Sequence, residues 1–134
     1  MSVFTFSDPQ LRTDPAIVFE WLVEAMGLGP GENWAGQRGY LRFLWNVPLD
    51  IHVPGPGRRS RVLLGQSQDV SASGLRFLCR QPLPPFSRVI IARAGERIGA
   101  AAKVVNRIQT VGGFLVGVQF DVPADSREAG CRTA

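Results

Sequence analysis

Trp45-Asn46-Val47-Pro48-Leu49-Asp50-Ile51-His52-Val53 alternates large apolar residues with polar ones and a proline. A period of two marks a β-strand with one buried face. Pro48 suits an edge or a bulge, because it has no N–H for a central ladder. Pro54-Gly55-Pro56-Gly57 ends the run in a turn. A second strand is expected from about residue 61 to 67, and a third carries Leu75, Phe77 and Cys79 inward. Val89-Ile90-Ile91 gives a fourth, with Ala94-Gly95 as a hairpin signal before a fifth around residues 98–107. Gly112-Gly113 opens the last, where Phe114, Val116, Val118 and Phe120 alternate with Leu115, Gly117, Gln119 and Asp121. Six short strands at hairpin spacing predict a mainly β fold, a six-stranded antiparallel barrel.

Upstream the period changes to near 3.6. Asp14-Pro15 is a helix start, an N-cap acceptor followed by proline at the first helical position. The run from Ala16 to Met26 is apolar except for Glu20 and Glu24, and the glycines at 27, 29 and 31 end it. A helix apolar nearly all round needs cover on most sides. It packs on its own barrel, or it leaves part of its surface for a homodimer or another protein. The chain therefore divides into a helical extension and linker (1–37), a barrel domain (38–121) and a polar tail (122–134), the last with at most a turn or two of helix.

The 134 residues suffice for one core, and 45% apolar with 19% charged is a globular composition. The formal charge is +4, and fourteen of the fifteen basic residues are arginine. Arginine is the side chain for planar, bidentate recognition of phosphate and guanine, although a compositional preference would also raise its number. His52 is the only histidine, and Cys79 and Cys131 form no framework. A histidine-based metal site or a Ser/His triad therefore cannot be assembled, and enzyme activity is the least favoured class. The N-terminal residues lack the basic region and apolar core of a signal peptide, and no stretch approaches the roughly 20 apolar residues of a membrane span. A reducing, cytoplasmic setting without membrane insertion is expected.

Two polar patterns flank the first predicted hairpin. Arg38-Gly39-Tyr40-Leu41-Arg42 is R-x-x-x-R, and Asp69-Val70-Ser71-Ala72-Ser73-Gly74 is D-x-S-x-x-G. The first offers two guanidinium forks, suited to phosphate oxygens and to the O6/N7 edge of guanine. The second offers a carboxylate acceptor, a hydroxyl and a glycine at a strand-to-strand turn, the groups that read guanine's N1/N2 donor edge. The same arginine spacing recurs at Arg76/Arg80 and Arg93/Arg97, where a solvated surface is the expected role.

In this order and separation the two patterns resemble those of the PilZ domain family, bacterial receptors for the second messenger cyclic di-GMP. The resemblance runs from Arg38 to Asp121 and takes in Gly113–Phe120 as a closing strand. It implies a PilZ-type barrel and a non-enzymatic receptor with no cofactor beyond the ligand, cyclic di-GMP. Arg38 and Arg42 would grip its phosphates and guanine edges, and Asp69 would accept from a guanine N1/N2 edge. Ser71 would bond the ligand or hold the turn, and Gly74 would let backbone approach the base. Gln37 stands where some members carry a further arginine, so one or two nucleotides per site remain open. The family implies signalling to a protein partner, with motility, exopolysaccharide or virulence as outputs. The alternative is a ligand-independent adaptor with the same barrel. Nucleic acid is disfavoured, because Trp45, Phe114 and Phe120 fall on the inward phase and not on an exposed stacking face.

Overall fold

In a computed structural model that describes residues 11–27, 42–55 and 60–122, the alternating stretches become strands, except that the first begins only at Pro48 and Trp45-Asn46-Val47 forms the link before it. The elements are β1 (Arg12–Thr13), α1 (Ile17–Gly27), β2 (Arg42–Leu44), β3 (Pro48–Pro54), β4 (Ser60–Ser71), β5 (Gly74–Cys79), β6 (Arg88–Arg93), β7 (Ile98–Thr110) and β8 (Gly113–Phe120). Six of them form the barrel in the order β7-β6-β3-β4-β5-β8, and pairing of β7 with β8 closes it. All six pairings are antiparallel. The two additional strands are short: β2 pairs antiparallel with the far end of β4, and β1 lies parallel to the start of β7. The tail at 123–134, Arg38 and residues 56–59 of the arginine-rich turn lie outside the described residues.

The inward phase is the expected one. Leu49, Ile51, Leu75, Phe77, Val89, Ile91, Val116, Val118 and Phe120 are buried in a single cluster. Phe114 is half-buried, with the Arg107 guanidinium 5.6 Å from its ring centroid. Pro48 starts β3, where a missing N–H costs least. The hairpin at Ala94-Gly95 forms, with the Glu96 N–H donating to the Arg93 carbonyl at 2.9 Å.

α1 begins where Asp14-Pro15 indicates, the Asp14 carboxylate accepting the Ala16 N–H at 3.0 Å. Ile17, Val18, Trp21 and Ala25 form its buried stripe, against β2, β4 and β7. Trp21 stacks on Trp45 with centroids 5.5 Å apart and tilts against Phe120 at 6.0 Å. Glu24 ties the helix to β6 through Arg93 at 2.8 Å. Among the described residues the helix is covered on one side only: Phe19, Val23 and Met26 on the other are exposed.

A serine holds the link between β2 and β3. Ser67 is fully buried; its hydroxyl accepts the Val47 N–H at 2.9 Å and donates to the Trp45 carbonyl. Ser67→Ala leaves both backbone groups without that partner in a dry site, which costs about 1–3 kcal/mol of stability. A urea denaturation curve with unchanged slope and a lower midpoint is the expected result.

Candidate ligand-binding site

Asp69 and Ser71 were expected in a turn, but they sit on the last residues of β4, and the turn itself is confined to Ala72-Ser73. The hairpin register therefore sets Asp69 opposite Arg76 and Val70 opposite Leu75. One step earlier the register shifts, leaving Gln68 as an extra residue between Ser67 and Asp69. Residues two apart on a regular strand share a face. The bulge breaks that rule, so Ser67 faces the core while Asp69 turns to the outside of the barrel.

There the Asp69 carboxylate is clamped on both oxygens. Arg42 Nη1 donates to Oδ1 at 2.6 Å, and Arg76 donates to Oδ2 through Nε at 2.9 Å and through Nη2. The Asp69 side chain is 7% exposed, Arg42 17% and Arg76 42%, so the carboxylate lies under two guanidiniums that still face solvent in part. The Asp69 hydrogen bonds raise the Arg76 pKa further, with Coulomb attraction adding and burial opposing, so this cation persists at any physiological pH. Two arginines and one carboxylate leave one net positive charge on the rim.

The rim opens on a cleft of about 730 Å³ along the outside of β5, β8 and β7, lined by Arg42, Gly74, Arg76, Asn106 and Gln119 among others. Gly74 packs its backbone closely against β8, and a Cβ there would collide with the Val118 carbonyl. Its role in the fold is therefore strand closeness as much as access for a ligand. Ser71 is 1% exposed; its hydroxyl accepts the N–H groups of Ser73 and Gly74 at 3.2 and 3.3 Å, which holds the turn. Of the residues singled out by the motifs, Arg42 and Asp69 touch, Arg42 and Gly74 line the cleft, Ser71 braces the turn, and Arg38 falls outside the described residues.

Arg76 was expected on a solvated surface, yet it completes the clamp on Asp69. The signal was present in the chain: a two-residue turn at Ala72-Ser73 pairs positions that sum to 145, and 69 and 76 do. Arg80, its i+4 partner, is exposed as expected.

The chain is an antiparallel barrel with an arginine–carboxylate clamp beside an open cleft. A sequence profile of the PilZ domain matches residues 36–131, and the chain belongs to the PilZ domain family. PilZ domains are generally non-enzymatic binding domains, and the family is one of cyclic di-GMP receptors. Comparison with curated proteins gave no match. Among the described residues no group of His, Cys, Asp and Glu could hold a metal ion, and no helix is long and apolar enough to cross a membrane.

Proposed function

We propose that the protein is a non-enzymatic cyclic di-GMP receptor of the bacterial cytoplasm, with Arg38, Arg42, Asp69, Ser71 and Gly74 as its motif residues. The observation that carries the reading is the clamp at Asp69. A carboxylate able to accept a guanine N1/N2 edge lies beneath two guanidiniums that attract phosphate, and those guanidiniums line a cleft large enough for a nucleotide. Ligand phosphates compete with Asp69 for the arginine donors, so binding redistributes the clamp. Only a difference in affinity between the two arrangements of the clamp drives such a change. β2 carries Arg42 and packs against α1, so the exposed Val23 and Met26 face is the surface through which a protein partner, or a second copy of the chain, senses it.

Calorimetric titration with cyclic di-GMP, with cyclic di-AMP as control, tests this. Saturable binding of the guanine ligand in preference to the adenine one is expected, and the end point reports one or two nucleotides per site. Arg42→Ala weakens that binding by at least about 2 kcal/mol, the loss of a charge-assisted contact, with the fold retained. No binding by the wild type, with a partner still captured through α1, would instead establish the ligand-independent adaptor.

A further inference from the structure

The outside of the barrel carries a row of residues that the two motifs do not exhaust. Strand register sets Asp69, Arg76, Gly117 and Asn106 side by side on β4, β5, β8 and β7. The two ends of the row arise in the same way. Val104 is buried opposite Val118, yet Asn106, two residues on, is exposed opposite Gly117, because a second bulge leaves Val105 as the extra residue. Bulges re-aim side chains. Here one turns out a carboxylate and the other a carboxamide, at opposite ends of one row.

Gly117 lies between them without a side chain, and the Asn106 carboxamide lies across it. Its Oδ1 is 2.7 Å and its Nδ2 3.3 Å from where a Gly117 Cβ would stand. A methyl group there would push the amide away. Among the described residues the carboxamide has no hydrogen-bond partner, and it lines the same cleft as Arg42 and Arg76. The neighbouring row, Leu115 and Ile108, adds an apolar strip to the cleft beside it.

We propose that Asn106 is a second base-reading residue, taking one guanine of cyclic di-GMP while Asp69 takes the other; this rests on the receptor function proposed above. The ligand has two identical bases, and the motifs supply one carboxylate to read them. From Asp69 to Asn106 is three inter-strand steps, roughly 14 Å at about 4.8 Å each. One base does not span that distance, whereas an opened cyclic dinucleotide does. A carboxamide presents a donor beside an acceptor, the complement of guanine O6 and N1–H, and a carboxylate lacks the donor. The strip of Leu115 and Ile108 forms the floor on which the ring lies.

Cyclic di-GMP is titrated into the full-length wild type, Asn106→Ala and Asn106→Leu, with thermal unfolding of each unliganded protein alongside. Both variants are expected to bind at least tenfold more weakly with unchanged unfolding temperature. The leucine variant keeps the side chain's bulk, so an equal loss assigns the effect to the amide's hydrogen bonds. If either variant binds like a wild type that itself binds, Asn106 is no base reader and the receptor assignment stands without it. If the wild type does not bind, the receptor assignment falls and this proposal with it.

Discussion

Asp69→Ala is expected to weaken cyclic di-GMP binding by at least about 2 kcal/mol, roughly 30-fold in Kd, while cyclic di-AMP binding holds or tightens. Two effects oppose each other here. Removing the carboxylate takes the rim from one net positive charge to two, which favours any doubly anionic ligand. At a rim open to solvent and salt that gain is worth well under 1 kcal/mol for each phosphate. Against it stands the loss of the acceptor that faces guanine's N1/N2 donors, and a donor edge left unpaired in a desolvated site costs more. Guanine recognition therefore dominates for cyclic di-GMP, and only the charge term remains for cyclic di-AMP. Parallel calorimetric titrations measure both. Equal losses for the two ligands would make Asp69 purely a brace for Arg42 and Arg76.

The same variant separates the roles of the two arginines. With Asp69 present, Arg42 and Arg76 are held 2.6 and 2.9 Å from its two oxygens and cannot repel each other apart. Without it, two like charges face one another from β2 and β5 across β4, and the exposed Arg76 moves away into solvent more easily than the more buried Arg42. Arg42 is thus the cation that stays at the site in both states. That ordering agrees with its place in the motif and with its packing on β2.

The strands were legible because each of them buries one face, and burial writes a period of two into the sequence. Leu49–Val53 and Phe114–Phe120 needed nothing further, whereas Trp45-Asn46-Val47 keeps the alternation yet forms the link held by Ser67. The helix start was equally legible at Asp14-Pro15, where cap chemistry is local. What escaped were the features that depend on register. Both bulges insert a residue without leaving a glycine or proline to mark it: Gln68 and Val105 look like ordinary strand residues. Their effect is to move Asp69 and Asn106 outward, and no period computed along the chain reports this. Arg76 escaped for a related reason, since placing the turn across the whole of 69–74 hides the pairing that a turn at Ala72-Ser73 produces. β1 and β2 have two and three residues, too few for any periodicity to register. The hydroxyl of Ser71 was assigned either to ligand or to turn, and only the hydrogen bonds of the folded turn decide that it braces the backbone.

Trp21→Ala is expected to cost about 3–5 kcal/mol, a large share of the roughly 5–15 kcal/mol that stabilises a domain of this kind. Trp21 is buried between Trp45 and Phe120, and the truncation removes both ring contacts and leaves a cavity at the join of helix and barrel. A compensating gain exists. Neither Trp21 Nε1 nor Trp45 Nε1 has a hydrogen-bond partner among the described residues, so the truncation also deletes one unpaired buried donor. That relief, about 1–3 kcal/mol at most, is smaller than the lost packing. Trp21→Phe isolates it: the ring contacts survive in part, the unpaired N–H goes, and stability is expected within about 1 kcal/mol of wild type. Chemical denaturation of the three proteins checks the ordering, and a wild-type midpoint for Trp21→Ala would show that α1 is not part of the barrel's cooperative unit. The consequence reaches the binding site through the backbone. The Trp45 backbone N–H donates to the Gln68 carbonyl at 3.1 Å three residues from Arg42, so the residue whose ring Trp21 packs against is tied to β4 beside the strand that presents the arginine. Trp21→Ala, titrated where it is still folded, should therefore bind cyclic di-GMP several-fold more weakly than Trp21→Phe, although neither substitution touches the cleft.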